Sequence, residues 1–362
     1  MRTPRANLND EFMVGRAQKR VLITGGRMPV SVQMAQIFMQ AGARVHVADS
    51  TRHVIADALS ECTTHRLPGA RGNMHAYGAA VEDLVRQWDI DIVVPVGEEI
   101  FHLAAARETG YAIPLFAPPL ATLRLLHDKS TFIELARSRG LAVPETWVLK
   151  RRKDVDDLAE RSGELVLKPC FSRFGARTKI GVKISELDDV VPSAHYPWVA
   201  QERLDGEEFC AYAVAVNGKL AAFSAYRPSH RIAKSAAFYF EPCKLPDGER
   251  IAAVLAAATA FTGQISLDFI RIPEGTLLPI ECNPRATSGL HFFWDQPELA
   301  TAILRATAPE IMLRPRPATP PAMHRRAMWI AGLPNALRSG TSLSGCAISS
   351  VAETRYILRE AR

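Results

Sequence analysis

Gln264 to Phe293, QISLDFIRIPEGTLLPIECNPRATSGLHFF, reads as two strands joined by a turn. Ile265, Leu267, Phe269 and Ile270 are apolar around Asp268. Pro273-Glu274-Gly275 carries turn chemistry, and Leu277, Leu278 and Ile280 lead into Glu281, Asn283 and Arg285. Neighbouring antiparallel strands lie about 4.8 Å apart, so folding at that turn sets Asp268 beside Glu281 and Asn283. Oxygen donors so placed suit Mg²⁺, which takes one or two carboxylates and fills its shell with water and substrate phosphate. Arg285 follows at once, and its planar fork matches a phosphoryl group. A surface hairpin with solvated acids would also alternate. It would have no need of acid, amide, rigid proline and arginine in the single run Glu281 to Arg285.

Working outward, a chain of 362 residues is long enough for two or three domains with real cores. Hydrophobic content of 48% with 23% charged residues fits a globular protein. Net charge is +6, from 44 Lys and Arg against 38 Asp and Glu. No basic run is interleaved with aromatics, which argues against a nucleic-acid partner, and an anionic small ligand accounts for the excess. Cys62, Cys170, Cys210, Cys243, Cys282 and Cys346 are scattered without a C-x-x-C pair. That argues against zinc and for reduced thiols in a cytoplasmic protein. Cys282 reads as a buried strand residue facing away from the site. No apolar run approaches membrane-spanning length, and the first residues, MRTPRANLNDEFMVGRAQKR, are not a secretory signal and read as a loose tail.

Residues 20 to 49 run strand, Gly turn, helix, strand, with Val21–Thr24 and Val45–Ala48 as strands and Asp49 at the end. A dinucleotide site with Asp49 on a ribose is one reading. Gly25-Gly26 followed by Arg27, Met28 and Pro29 lacks G-x-G-x-x-G spacing, so a structural βαβ unit, or one serving another ligand, is favoured. A further strand ends at Pro95, with Glu98 and Glu99 just beyond its carboxyl end. Asp128 to Arg139 reads as a helix opening with Lys129. In Glu164–Pro169, Lys168 follows three apolar residues, a costly place for a lysine unless it points at an anion. The loop Cys170–Lys179 holds Ser172, Gly175 and Thr178, small residues whose N–H groups can cradle phosphate. Strands are expected at Trp198–Leu204, Cys210–Val216 and Leu220–Tyr226, the last two joined through Asn217-Gly218. Arg227, His230 and Arg231 then bunch after a strand. Ile251–Phe261 and Pro297–Thr307 read as helices.

These features, in order, resemble the ATP-grasp superfamily of carboxylate–amine ligases, including the ATP-grasp domain of the carbamoyl phosphate synthetase large subunit. The set is a βαβ domain, D-K at a helix start followed by G-L-A-V-P, V-L-K-P, Q-E-R-L with G-E-E, L-D-F-I and E-C-N-P-R, and it covers about residues 20 to 310. The resemblance implies a mixed α/β and α+β ATP-grasp fold behind an N-terminal Rossmann-like domain. It divides the chain into a tail (1–19), the Rossmann-like domain (20–120), a lid subdomain (121–204), a large subdomain with the metal site (205–315) and a C-terminal extension (316–362). It implies ATP as cosubstrate with Mg²⁺, or Mn²⁺ in its place. Lys129, Lys168, Ser172 and Gly175 would contact the nucleotide. The backbone of Glu202 and Leu204 would meet adenine, and Glu208 would hold the ribose. Asp268, Glu281 and Asn283 would hold the metal. Arg285 and Lys168 would serve the phosphoryl transfer. The phosphate loop, S-R-F-G-A-R-T, departs from the family's glycine-dense run.

The activity so implied is ATP-driven coupling of a small carboxylate to an amine through an acyl phosphate. Arg227, His230, Arg231 and Ser288 are the substrate-side candidates. No membrane or nucleic-acid partner is expected. The oligomeric state stays open, although many relatives dimerise. Two rivals remain at this stage: a dinucleotide-dependent reductase built on Ile23-Thr24-Gly25-Gly26 and Asp49, and a nucleotide-binding regulatory module without turnover.

Overall fold

The computed structural model describes residues 18–172, 177–231 and 237–323. Residues 1–17 of the segment expected as a tail and most of the expected extension lie outside the described residues.

The first unit is a parallel sheet of order β3-β2-β1-β4, made of β1 (Arg20–Thr24), β2 (Arg44–Asp49), β3 (Thr63–Arg66) and β4 (Ile92–Pro95), with α1 (Pro29–Gln40), α2 (Met74–Gln87) and α3 (Glu99–Glu108). Val21, Leu22, Ile23, Val45 and Val47 are fully buried, the continuous apolar run expected of a sheet covered on both faces. β3 escapes a periodicity reading because Thr-Thr-His-Arg is a short polar edge strand that pairs on β2 alone. The chain leaves β1 toward β2 and later returns to β4 on the other side of β1. The carboxyl ends of β1 and β4 thus form the crevice where open α/β sheets bind ligands.

Next come α4 (Leu120–His127) and α5 (Lys129–Ser138), then the antiparallel sheet β5-β8-β6-β7. Its strands are β5 (Thr146–Leu149), β6 (Leu165–Pro169), β7 (Lys179–Ile180) and β8 (Trp198–Glu202), with α6 (Arg152–Asp156) beside it. Leu149, Leu165, Leu167, Trp198 and Ala200 form its own core. α4 and α5 do not join that core. Leu126, Phe132, Ile133 and Ala136 pack with Phe209, Ala211, Leu267 and Phe269 of the large sheet.

The large antiparallel sheet has the order β13-β12-β9-β10-β11-β14. It comprises β9 (Glu207–Val216), β10 (Lys219–Arg231), β11 (Ala237–Cys243), β12 (Gly263–Arg271), β13 (Leu277–Asn283) and β14 (Ala322–Met323), with α7 (Pro246–Ala258) and α8 (Glu298–Arg305). The Asn217-Gly218 hairpin turn is as expected, with φ of 49° and 79°. β10 runs past the expected Tyr226. Arg227, Pro228 and Ser229 continue the ladder with Glu241, Phe240 and Tyr239. Along β9 the faces alternate. Phe209, Ala211, Ala213 and Leu267 face α5 and α7, while Tyr212 and Val214 face the first domain and the segment after β13.

Candidate functional site

The hairpin β12–β13 does what its sequence requires. Asp268 stands opposite Glu281, and Ser266 opposite Asn283. The register then slips between Asp268 and Phe269, so Phe269 pairs with Pro279 and Ile280 is left bulged out of the ladder. Bulges concentrate beside functional sites because they re-aim backbone groups. Here the freed carbonyl of Ile280 accepts a hydrogen bond from Lys168 Nζ at 3.2 Å.

Beyond β13 the N-P-R turn is tied down over the sheet. Ser266 Oγ donates to Arg285 O at 2.9 Å, Thr287 Oγ1 to Ser266 Oγ at 3.0 Å, and Arg285 N to Asn283 O at 2.8 Å. Ser224 Oγ donates to Gly289 O at 2.9 Å, and a Cβ on Gly289 would lie 2.5 Å from Tyr212 Cβ. That close approach is why glycine stands there.

The cations come from three elements. Asp128 caps α5 through Ser130 N at 2.8 Å and Thr131 N at 3.4 Å. Lys129 N donates to Cys170 O at 3.2 Å, which pins the helix start to the end of β6. The Lys129 side chain is 1% exposed; its Nζ donates to Ser172 Oγ at 3.2 Å and lies 3.6 Å from Glu281. Lys168 Nζ, from β6, also donates to Gln201 Oε1 of β8 at 3.0 Å. Burial pushes its ammonium down to about 8, against the pull of the Glu281 and Asp268 charges. Arg285 is 7% exposed, and its Nη2 lies 3.1 Å from Glu98 Oε1 of the first domain.

The acids are strained electrostatically. Burial, then the facing Glu281, pushes the Asp268 carboxyl up to about 6, with Glu208 adding to the rise and the Cys210 thiol and Arg285 opposing it. Two carboxylates face to face, with the amide Nδ2 of Asn283 at 3.5 Å from Asp268 Oδ2, form an oxygen-donor set whose negative charges repel each other beside Lys129. That is the chemistry a hard divalent cation neutralises. No group of three or more His, Cys, Asp or Glu side chains arranged for a metal occurs among the described residues, so the donor set is two carboxylates and an amide.

Asp268, Glu281, Asn283, Arg285, Lys129, Lys168 and Ser172 therefore converge. Glu208, on β9 next to β12, acts on Asp268 and belongs to the same face. Glu202 ends β8, where its N–H is spent on Glu145 O at 2.8 Å; Leu204 lies two residues on, past Arg203. Ser288 is half-buried just after the N-P-R turn. Arg227 is set elsewhere. It pairs with Glu207 and lies over the Phe209 ring at 5.1 Å, on the sheet face that packs against α5 and α7. Gly175 and the side chains of His230 and Arg231 lie outside the described residues. Cys282 is fully buried in the opposite core, as expected. Sequence reasoning missed Gln201 as the partner of Lys168 and the bulge at Ile280.

Asp49 is occupied within the fold. Its Oδ2 accepts from Arg27 N at 2.9 Å and Arg27 Nε at 3.0 Å, and its Oδ1 takes Thr51 N at 3.1 Å and the remaining arm of Arg27. A ribose has no lone pair left to bind there, which removes the observation that favoured a dinucleotide. A groove of about 450 Å³ between α7 and the β9–β10 turn sits at the end of β9 away from Cys210, remote from the carboxylates.

No family model matches the sequence, and no curated protein matches it. Solved structures do match the fold. An L-amino acid ligase from Bacillus licheniformis is 18% identical, with 76% of this chain and 69% of that one covered at a TM-score of 0.58. A phosphoribosylamine–glycine ligase from Thermotoga maritima is 18% identical over 82% of this chain and 78% of its own, at 0.62. An N5-carboxyaminoimidazole synthase from Aspergillus clavatus, solved with ADP and an aminoimidazole ribonucleotide, is 14% identical over 83% and 80%, at 0.64. Among the described residues no helix is long and apolar enough to cross a membrane. With a Rossmann-like domain leading into two antiparallel sheets, and these structures as its neighbours, the chain has the ATP-grasp fold.

Proposed function

We propose that this protein is an ATP- and Mg²⁺-dependent ligase that activates a small-molecule carboxylate as an acyl phosphate and joins it to an amine, releasing ADP and phosphate. The observation that carries this reading is the face-to-face pair Asp268–Glu281, flanked by Asn283 and closed in by Lys129, Lys168 and Arg285. The site is rich in fixed charge. Phosphoryl transfer asks for this, since it depends on positioning and charge neutralisation.

Asp268, Glu281 and Asn283 would hold Mg²⁺. Bound there, the ion would supply positive charge to the ATP phosphates and relieve the carboxylate repulsion. Lys129, 3.6 Å from Glu281, and Lys168, bonded to Ile280 O, would bind phosphate oxygens. Ser172, already bonded to Lys129, would bring the loop after β6 to the same phosphates, with Gly175 as part of that loop. Adenine would lie against the end of β8, meeting the backbone of Glu202 and Leu204, with Glu208 on the ribose. The substrate carboxylate attacks the γ-phosphorus of ATP, and ADP leaves. Arg285 would hold the new acyl phosphate. The amine then attacks the acyl carbon, and phosphate departs with the C–O bond pair. Ser288 beside the N-P-R turn would touch the acid substrate. The solved relatives support this reading by fold: one is an L-amino acid ligase, and another was solved with ADP.

The test is release of ADP and phosphate from ATP with Mg²⁺ across pools of amino acids and small carboxylates. Release that needs both an acid and an amine supports the ligase. Full activity in both Lys168→Ala and Glu281→Ala would overturn the site assignment. Nucleotide binding with no release from any pool would favour a regulatory module instead.

A further inference from the structure

Polar bridges join the large sheet and its N-P-R turn to the first domain at the carboxyl end of β4. One runs through Gln264, near the start of β12, which is 1% exposed. Tyr212 Oη donates to Gln264 Oε1 at 2.8 Å, and Gln264 Nε2 donates to Pro95 O at 2.8 Å. A buried amide is costly unless both its ends are bonded, and here both are. The other bridge is the ion pair of Glu98 with Arg285, at 3.1 Å. Pro95 ends β4, and Glu98 stands just before α3, so one short turn carries both contacts.

That turn has little freedom. Val96 N, Gly97 N and Thr24 Oγ1 all donate to Glu99 Oε1, at 3.2, 3.0 and 3.0 Å. Val96 N also donates to Thr24 O at 3.3 Å. A Cβ on Gly97 would lie 2.6 Å from Glu99 Oε2 and 2.7 Å from Met28 Sδ, so the backbone is packed tightly there. With Pro95 O held by Gln264, the segment from Pro95 to Glu98 is a rigid strut. At its far end Arg285 has contacts to Asn283 and Ala286, which belong to its own turn and move with it. Glu98 fixes the guanidinium from outside that turn.

We propose that Gln264 is a positioning residue for Arg285. It holds the β4–α3 turn through Pro95 O, and the turn aims Glu98 at the guanidinium. The first domain thereby completes the phosphoryl site. This assignment rests on the ligase reading above, in which Arg285 holds the acyl phosphate. Lys129 and Lys168 take no part in the bridge, so its loss should fall on the acid and amine and leave ATP binding alone.

The test is a double-variant cycle on the full-length protein. Q264M keeps the side-chain length and removes both hydrogen bonds. Y212F removes only the hydroxyl that holds Gln264 Oε1, and serves if Q264M folds poorly. Each is combined with E98Q. ADP release is measured with ATP, Mg²⁺ and limiting pools of amino acids and small carboxylates, and ATP affinity by calorimetry. Q264M is expected to slow release about tenfold and Y212F about threefold, with ATP affinity within about twofold of wild type. Residues acting through one network are non-additive, so adding Q264M to E98Q should cost no more than about a further twofold. General loosening of the sheet would instead multiply the two losses and weaken ATP binding. Multiplied losses, or full release by Q264M, overturn the role of Gln264. The same cycle read in melting temperature needs no substrate. There the double variant should lose less than the sum of the single ones, and additive losses overturn the proposal whatever the turnover. Absence of ADP release from wild type would count against the ligase reading instead, and the melting cycle tells the two failures apart.

Discussion

Asp268 and Glu281 stand directly opposite each other on β12 and β13, at the edge of a bulge whose free carbonyl holds Lys168. Like charges facing across a ladder destabilise a hairpin. Here Lys129, Lys168 and Arg285 surround the pair, and on the proposed reading a bound divalent cation would relieve the remaining repulsion.

Removing that repulsion should stabilise the metal-free protein. Asp268 titrates near 6 when folded and near about 3.9 when unfolded, so between those values the folded state binds more protons. Stability contributed by this group is present below about pH 4 and is lost as pH rises through about 6. Asp268→Asn abolishes the loss. Its melting temperature should exceed that of wild type by a few degrees at pH 8, with little difference at pH 4.5. Its Mg²⁺-dependent ATP turnover should fall at least about 100-fold. Thermal melts across pH with and without MgATP check both halves.

Lys168 should make nucleotide affinity pH-dependent. Its charge is present below its folded value of about 8 and is lost above it. Binding of ATP should weaken as pH rises from 7 to 9, measured by calorimetry at fixed Mg²⁺. The stability sign is opposite. The folded value lies below the unfolded one of about 10.4, so the folded state gains stability as pH rises between the two. Lys168→Met should flatten both curves while the sheet stays intact.

Arg285 lies between Asn283 and Glu98, with Nη2 at 3.4 Å and 3.1 Å from their oxygens. Arg285→Lys keeps the charge and loses the fork. A loss of about 100-fold in turnover with ATP affinity nearly unchanged is expected from steady-state kinetics and binding. Glu98→Gln should have a smaller effect, raising the KM for the acid or amine more than it lowers kcat.

Phe132 of α5 is fully buried in one core with Phe209 and Phe269 of the large sheet, three residues along the same helix from Lys129. Phe132→Ala should cost about 3–5 kcal/mol by chemical denaturation. It should also weaken ATP binding, because the helix start is no longer fixed against Cys170.

Much of this arrangement was legible in the residues. Period-two alternation around Asp268, the Pro-Glu-Gly turn and the E-C-N-P-R run were enough to bring Asp268, Glu281 and Asn283 together, because strand register follows from local pattern. Asp128 as cap and the Asn217-Gly218 hairpin were equally local. What was not legible depends on contacts far apart in the chain. The bulge at Ile280 appears only when β13 is laid against β12. The Lys168–Gln201 bond joins strands 33 residues apart. The packing of α4 and α5 on the large sheet, away from the sheet they precede, is a tertiary choice. Arg227 shows the reverse error. A cluster of basic residues after an expected strand turned out to be the strand's continuation, and alternation carried Arg227 to the other face.

The most direct measurement follows oxygen from substrate to phosphate. ATP, Mg²⁺, an amine pool and a pool of carboxyl-¹⁸O-labelled amino acids and small acids are incubated with the protein, and the released phosphate is analysed by mass spectrometry. If the carboxylate attacks the γ-phosphorus and the acyl C–O bond later breaks, one ¹⁸O appears in each phosphate formed together with amide. Phosphate released without label, its new oxygen drawn from water, would contradict carboxylate activation and with it the reading of Asp268, Glu281, Asn283 and Arg285 as a ligase centre.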